Sequence, residues 1–111
     1  MDRGEQEVAL RWAFREAHVA PLFHAHVETR LEQLEFDDLL RAGSFCEILE
    51  EYDRPQGRTK LLLSYLRMDE PLHMVVNVEQ FEEDLTEPVR IVTVYRPEPP
   101  KWWDERTRGM R

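Results

Sequence analysis

The chain carries one cysteine, Cys46, in 111 residues, so an internal disulfide is excluded and a zinc site built on cysteine lacks its donors. No apolar run approaches the roughly 18 residues that a membrane span requires. The opening MDRGEQEVALRW has no apolar core of a secretory signal, so a cytoplasmic protein without membrane contact is expected. Positive charge is also short. With a net charge of −8, indiscriminate binding to nucleic acid is disfavoured, because phosphate contacts need local cations and a negative field slows a polyanion's approach. Lysine is scarce, two against thirteen arginines, which favours two-pronged contacts to carboxylate or phosphate; a GC-rich or thermophilic source would give the same usage. The length suits one small domain with a single hydrophobic core.

What positive charge there is lies unevenly. Residues 1–95 balance to −10, whereas Arg96 to Arg111 balance to +2. Two basic patches stand out. One holds Arg54, Arg58, Lys60 and Arg67 with no acid among them; the other is a tail with Arg96, Lys101, Arg106, Arg108 and Arg111. The β-branched run Val89 to Tyr95 must end before the tail, since Pro97, Pro99 and Pro100 donate no ladder hydrogen bonds. Residues 1–96 therefore form a single α+β domain, and 97–111 a Pro/Trp/Arg-rich C-terminal tail of the same domain.

Leu10, Ala13, Phe14 and Ala17 recur at helical spacing and predict a helix over 6–19. Pro21 would open a second helix with the apolar stripe Phe23, Val27, Leu31 and Leu34. Asp37 would cap a short third helix, Asp38 to Ala42, closed by Gly43 in a left-handed cap. Beyond it SFCEILEEY, TKLLLSYLR, PLHMVVNVE and PVRIVTVYR read as four strands with short connections. The expected fold is α+β, with N-terminal helices packed on one face of a four-stranded antiparallel sheet. The acidic stretch QFEEDLTE reads as a solvated turn.

In order and spacing, HVETRLEQLEFDDLLRAG, a strand ending in EEY, KLLLSYLR, PLHMVV, IVTVYRP and W-x-x-x-R resemble the bacterial domain of unknown function 4258 family. The resemblance implies an outline like that of the small RelE-type ribonuclease toxins. It also implies a place in a toxin–antitoxin pair beside a zinc-finger antitoxin, and RNA as a target. His26 and Arg30 fit the family's histidine and arginine four apart on a helix, and His73 the histidine after Pro-Leu. Thr93, Tyr95 and Pro97 fit its T-x-Y-x-P strand end, Trp102 or Trp103 its tail tryptophan, and Arg106 or Arg108 the arginine beyond. Leu34 departs from the family's pattern, standing where a second basic residue is usual.

Metal-independent RNA cleavage needs a proton acceptor, a proton donor and cations around the phosphate. His26, Arg30, His73 and Tyr95 are the candidate catalytic set, with Lys60, Arg58, Arg96 and Arg106 as RNA contacts, and neither cofactor nor metal is called for. This requires Arg30, His73 and Tyr95 to converge on one cationic hollow. Blander uses are open: Arg30 paired with Glu28 or Asp38, His73 satisfied within a strand, and Trp102 and Trp103 anchoring the tail. His24 and His26 point apart on a helix and cannot share an ion. The competing function is a non-catalytic protein-interaction module whose acidic faces meet a basic partner or whose tail docks on a second copy as a homodimer; a toxin descendant that has lost activity is a variant of it.

Overall fold

The computed structural model describes residues 2–109; Arg111, the last cation of the basic tail, lies outside them. Helix α1 (Arg3–Arg15) begins where the Asp2 carboxylate accepts the Glu5 backbone N–H at 2.8 Å and the Glu5 carboxylate accepts that of Asp2 at 3.3 Å. This reciprocal cap satisfies donors that a helix start leaves free. Leu10, Ala13 and Phe14 form its buried stripe, and Ala17, at φ 56°, turns the chain out of the helix.

Pro21 does not open a helix. It ends a short strand, β1 (Val19–Pro21), which pairs in parallel with β5 (Val89–Tyr95). Between them, β2 (Glu47–Arg54), β3 (Gly57–Arg67) and β4 (Glu70–Asn77) run antiparallel, and the sheet order is β1-β5-β4-β3-β2. The sheet is therefore five-stranded and mixed, not four-stranded and antiparallel. Proline is tolerated because β1 is an edge strand, where a missing donor interrupts no ladder.

Helix α2 (Phe23–Leu31) reverses its expected face. Phe23 and Leu31 are 82% and 78% exposed, whereas Ala25 and Thr29 are buried. The helix is held against β5 by its backbone surroundings: Leu22 donates to the Ile91 carbonyl at 2.9 Å, and the Glu28 carboxylate accepts the Val94 N–H at 2.9 Å. Small side chains allow that approach; Phe23 would not. Helix α3 (Phe36–Gly43) is capped from Glu35 rather than Asp37, with the Asp38 carboxylate accepting the Glu35 N–H at 2.8 Å. Gly43 is its last helical residue and has no left-handed backbone. Its lack of a side chain serves packing, since a Cβ there would sit 2.2 Å from the Phe14 ring. The acidic stretch forms a short helix, α4 (Glu79–Glu83), anchored by Phe81 at 2% exposure.

The β2–β3 turn, Pro55 and Gln56, closes on Gly57 at φ 120°, a conformation side chains resist. Two bulges then decide which residues share a face. Ile48 pairs with Leu62 and Glu50 with Leu61, so Leu49 is extra. Val75 pairs with Thr93 and Val76 with Ile91, so Val92 is extra. Ile48, Leu62, Leu72, Met74, Val76, Ile91 and Val94 consequently face the helices and share one core with Leu10, Phe14, Ala25 and Leu39. Glu47, Leu63, His73 and Tyr95 form a rung on the opposite face, with Glu50, Leu61, Val75 and Thr93 beside it. Strict alternation would put Ile91 and Tyr95 on one face; the Val92 bulge puts them on opposite ones. Among the described residues no helix is long and apolar enough to cross a membrane.

Candidate functional site

The tail crosses the face that the helices leave uncovered. Trp102 pairs with Arg108 across a small loop, in which Trp103 donates to the Thr107 carbonyl at 2.9 Å and Asp104 accepts the Arg106 and Thr107 N–H groups at 2.8 Å each. The loop presses the Trp102 indole, 2% exposed, edge-on against the His73 ring with centroids 4.5 Å apart. The Arg108 guanidinium roofs the indole at 4.6 Å, a cation–π contact that leaves the charge free to pair outward.

His73 has no exposed surface. Its Nε2 lies 2.8 Å from the Glu105 carbonyl and its Nδ1 3.1 Å from the Tyr95 hydroxyl. A carbonyl only accepts, so Nε2 carries the proton, Nδ1 is the bare nitrogen, and the Tyr95 hydroxyl donates to it. Burial pushes the His73 pKa below its usual value, against the opposing Glu105 carbonyl, and pushes that of Tyr95 up. A neutral imidazole with both nitrogens engaged and an indole across its plane is a joint between sheet and tail. It presents no proton to a solvent-borne substrate.

The tail's arginines grip the same face. Arg106 holds Glu47 with bonds of 3.0 and 2.5 Å, and Arg108 holds Glu50 with bonds of 3.0 and 2.6 Å while also reaching the Tyr52 hydroxyl at 2.8 Å. These forks lower the Glu47 pKa and raise those of both arginines. Glu47 and Glu50, three apart, can serve one face only because the Leu49 bulge lies between them. Tyr65 completes the seam through a 3.0 Å bond to the Glu105 carboxylate, which, after burial, raises its pKa.

The other expected RNA contacts are likewise committed to carboxylates. Lys60, 5% exposed, lies on the helix side and donates to Glu51 at 2.6 Å and Gln6 at 2.8 Å, with Glu82 at 3.6 Å. Arg58 sits 3.0 Å from Glu82 and 3.6 Å from Glu83. Arg96 bonds the Glu32 carboxylate and, at 3.1 Å, its carbonyl. Among the described residues the two basic patches meet only at Tyr52, with Arg54 over its ring at 5.0 Å and Arg108 on its hydroxyl at 2.8 Å, and there Glu50 and Glu51 line the same hollow.

His26 and Arg30 are the exception. Both are exposed and line a groove of about 550 Å³ between α2 and α3 with Pro21, Thr29, Leu34, Glu35, Phe36 and Leu39. Among the described residues neither side chain has a hydrogen-bond or ion-pair partner: Glu28 instead meets His24 at 3.3 Å, and Asp38 meets Arg41 at 2.5 Å. The candidate set thus divides, with His26 and Arg30 in the helix-side groove and His73 and Tyr95 beneath the tail on the opposite sheet face. What sequence reasoning missed is the seam of Glu47, Glu50 and the Glu105 carbonyl. The contrast between an acidic body and a basic tail was its one visible signal.

Among the described residues, a mixed five-stranded sheet with four helices and a latched tail defines a small α+β domain. The chain belongs to the family "Domain of unknown function (DUF4258)", whose model matches residues 23–96. The match spans α2 through β5 and ends at Arg96, so Trp102, Trp103, Arg106 and Arg108 fall outside it, as does α1. No curated protein matches the chain, and no solved structure does.

Proposed function

We propose that the chain is a non-catalytic protein-interaction module. The observation that carries this reading is the state of His73: fully buried, neutral, hydrogen-bonded at both nitrogens and covered by Trp102. A general acid or base must come within hydrogen-bond reach of the proton it moves. Here the nearest approach is filled by the chain itself. The expected phosphate contacts Lys60, Arg58, Arg96 and Arg106 are each neutralised by carboxylates, and the −8 charge suits a basic protein better than a polyanion.

A second reading keeps one observation in its favour. In a RelE-like toxin restrained by a zinc-finger antitoxin, RNA would be met at the helix-side groove, where exposed His26 and Arg30 have no partner among the described residues. Incubating the purified chain with single-stranded RNA, beside Arg30→Ala and His73→Gln, separates the two. The module reading expects no cleavage from any of the three, and stoichiometric co-purification with a protein partner that both variants retain. Cleavage by the wild type that disappears in Arg30→Ala transfers the assignment to the toxin.

A further inference from the structure

Helix α1 buries Leu10, Ala13 and Phe14, yet its outer side is not wholly polar. Val8 and Trp12, one turn apart, are 62% and 43% exposed, and Leu85, just after α4, is 53% exposed. With Ala9 and Phe81 they line a groove of about 740 Å³. His18 contacts both walls of the groove. Its ring lies between Trp12, at 5.6 Å, and Phe81, at 6.1 Å, and its Nε2–H donates to the Leu85 carbonyl at 2.9 Å. One histidine therefore fixes both walls before any partner arrives, which lowers the ordering cost of binding. Among the described residues the charged lining is of one sign: Asp2 and Glu5 stand at the α1 end, and no Lys or Arg joins them. Exposed apolar patches on small domains mark contact surfaces, and tryptophan is the residue most enriched at their energetic centres.

We infer that this groove docks a basic amphipathic helix of a partner protein, with apolar side chains seated between Trp12 and Leu85 and a Lys or Arg lying over Asp2 and Glu5. The inference rests on the module reading and adds its surface and the chemistry of its partner. A two-fold pairing of copies through this groove would lay the Asp2 and Glu5 end of each copy over the apolar Trp12 and Leu85 end of the other, leaving the carboxylates without a cation on a body already at −8. Nucleic acid meets the same acids with the wrong sign. A helix offering anchors at i, i+3 or i+4, and i+7 fits a groove walled by another helix.

The test uses the full chain in a Trp103→Phe background, which leaves Trp12 as the exposed indole, since Trp102 is 2% exposed. It is titrated with a synthetic amphipathic helical peptide of leucine and lysine, and with the same peptide carrying glutamate for lysine. The expected result is a saturable blue shift of Trp12 emission with the lysine peptide alone. Val8→Glu and Leu85→Glu should each weaken it about tenfold or more, although both add charge that would attract lysine. Phe23→Ser, on the distant α2 surface, should leave it unchanged. Absence of saturable binding overturns the inference, as does equal binding by Val8→Glu, or self-association of the wild type that Val8→Glu abolishes. None of these touches the module reading, which falls instead to RNA cleavage lost in Arg30→Ala.

Discussion

Replacing Trp102 with alanine tests whether the tail is a latch. The indole is 2% exposed, edge-on to His73 at 4.5 Å and beneath Arg108 at 4.6 Å. Removing a buried tryptophan costs about 3–5 kcal/mol, and a site that can collapse lies at the lower end, so about 3 kcal/mol is expected for an indole covered by one tail segment. The remaining grips are the half-exposed pairs Arg106–Glu47 and Arg108–Glu50 and the Glu105 bonds to His73 and Tyr65, each worth about 1 kcal/mol against the larger ordering entropy of the segment. They cannot hold the segment alone, so the tail should lift and His73 should meet water. Urea denaturation should show a lower midpoint and a smaller slope, because the altered native state already exposes part of the surface released on unfolding. In parallel, histidine NMR should show the His73 titration moving up towards its ordinary range. A loss below about 1 kcal/mol with the titration unmoved would refute the latch.

Three further outcomes follow from the same geometry. Burial lowers the His73 pKa in the fold, so as pH falls the unfolded chain takes up this proton first. The contribution is complete above the unfolded value of about 6.5 and is lost as pH falls through the folded one. Glu50 and Glu105 facing the ring favour protonation and Arg108 opposes it; subtracting the stability curve of His73→Gln isolates the effect, and a flat difference across this window contradicts it. Cys46, fully buried with its thiol pushed up to about 12 mainly by burial, should resist a thiol reagent in the native chain at mildly alkaline pH and react on unfolding; rapid native labelling contradicts that burial. Gly43→Ala places a Cβ 2.2 Å from Phe14 and should cost about 1–3 kcal/mol by overpacking, read as a lower melting temperature. If Gly43 instead served an ordinary helix interior, the alanine would stabilise.

The α1 stripe of Leu10, Ala13 and Phe14, the four main strands and the handover to a proline-tryptophan tail were legible in the sequence, because each is a local pattern repeated over several residues. The pairing of His73 with Tyr95 was legible only as two residues of similar promise. Strand β1 was not, since three residues carry no period and their partner lies at the far end of the chain. The outward turn of Phe23 and Leu31 was hidden for a related reason: spacing locates a stripe but does not say which of two stripes meets the sheet.

By itself, then, the amino-acid order determined helices α1 to α3 in outline, strands β2 to β5, the α+β class, the family and the segregation of charge. The tertiary structure alone decided where the chemistry lies. Bulges at Leu49 and Val92 change which side chains share a face, and a bulge is a property of two paired strands rather than of either strand. Through them Glu47 and Glu50 meet the tail arginines, His73 is sealed under Trp102, and Arg30 is left on the other side of the sheet.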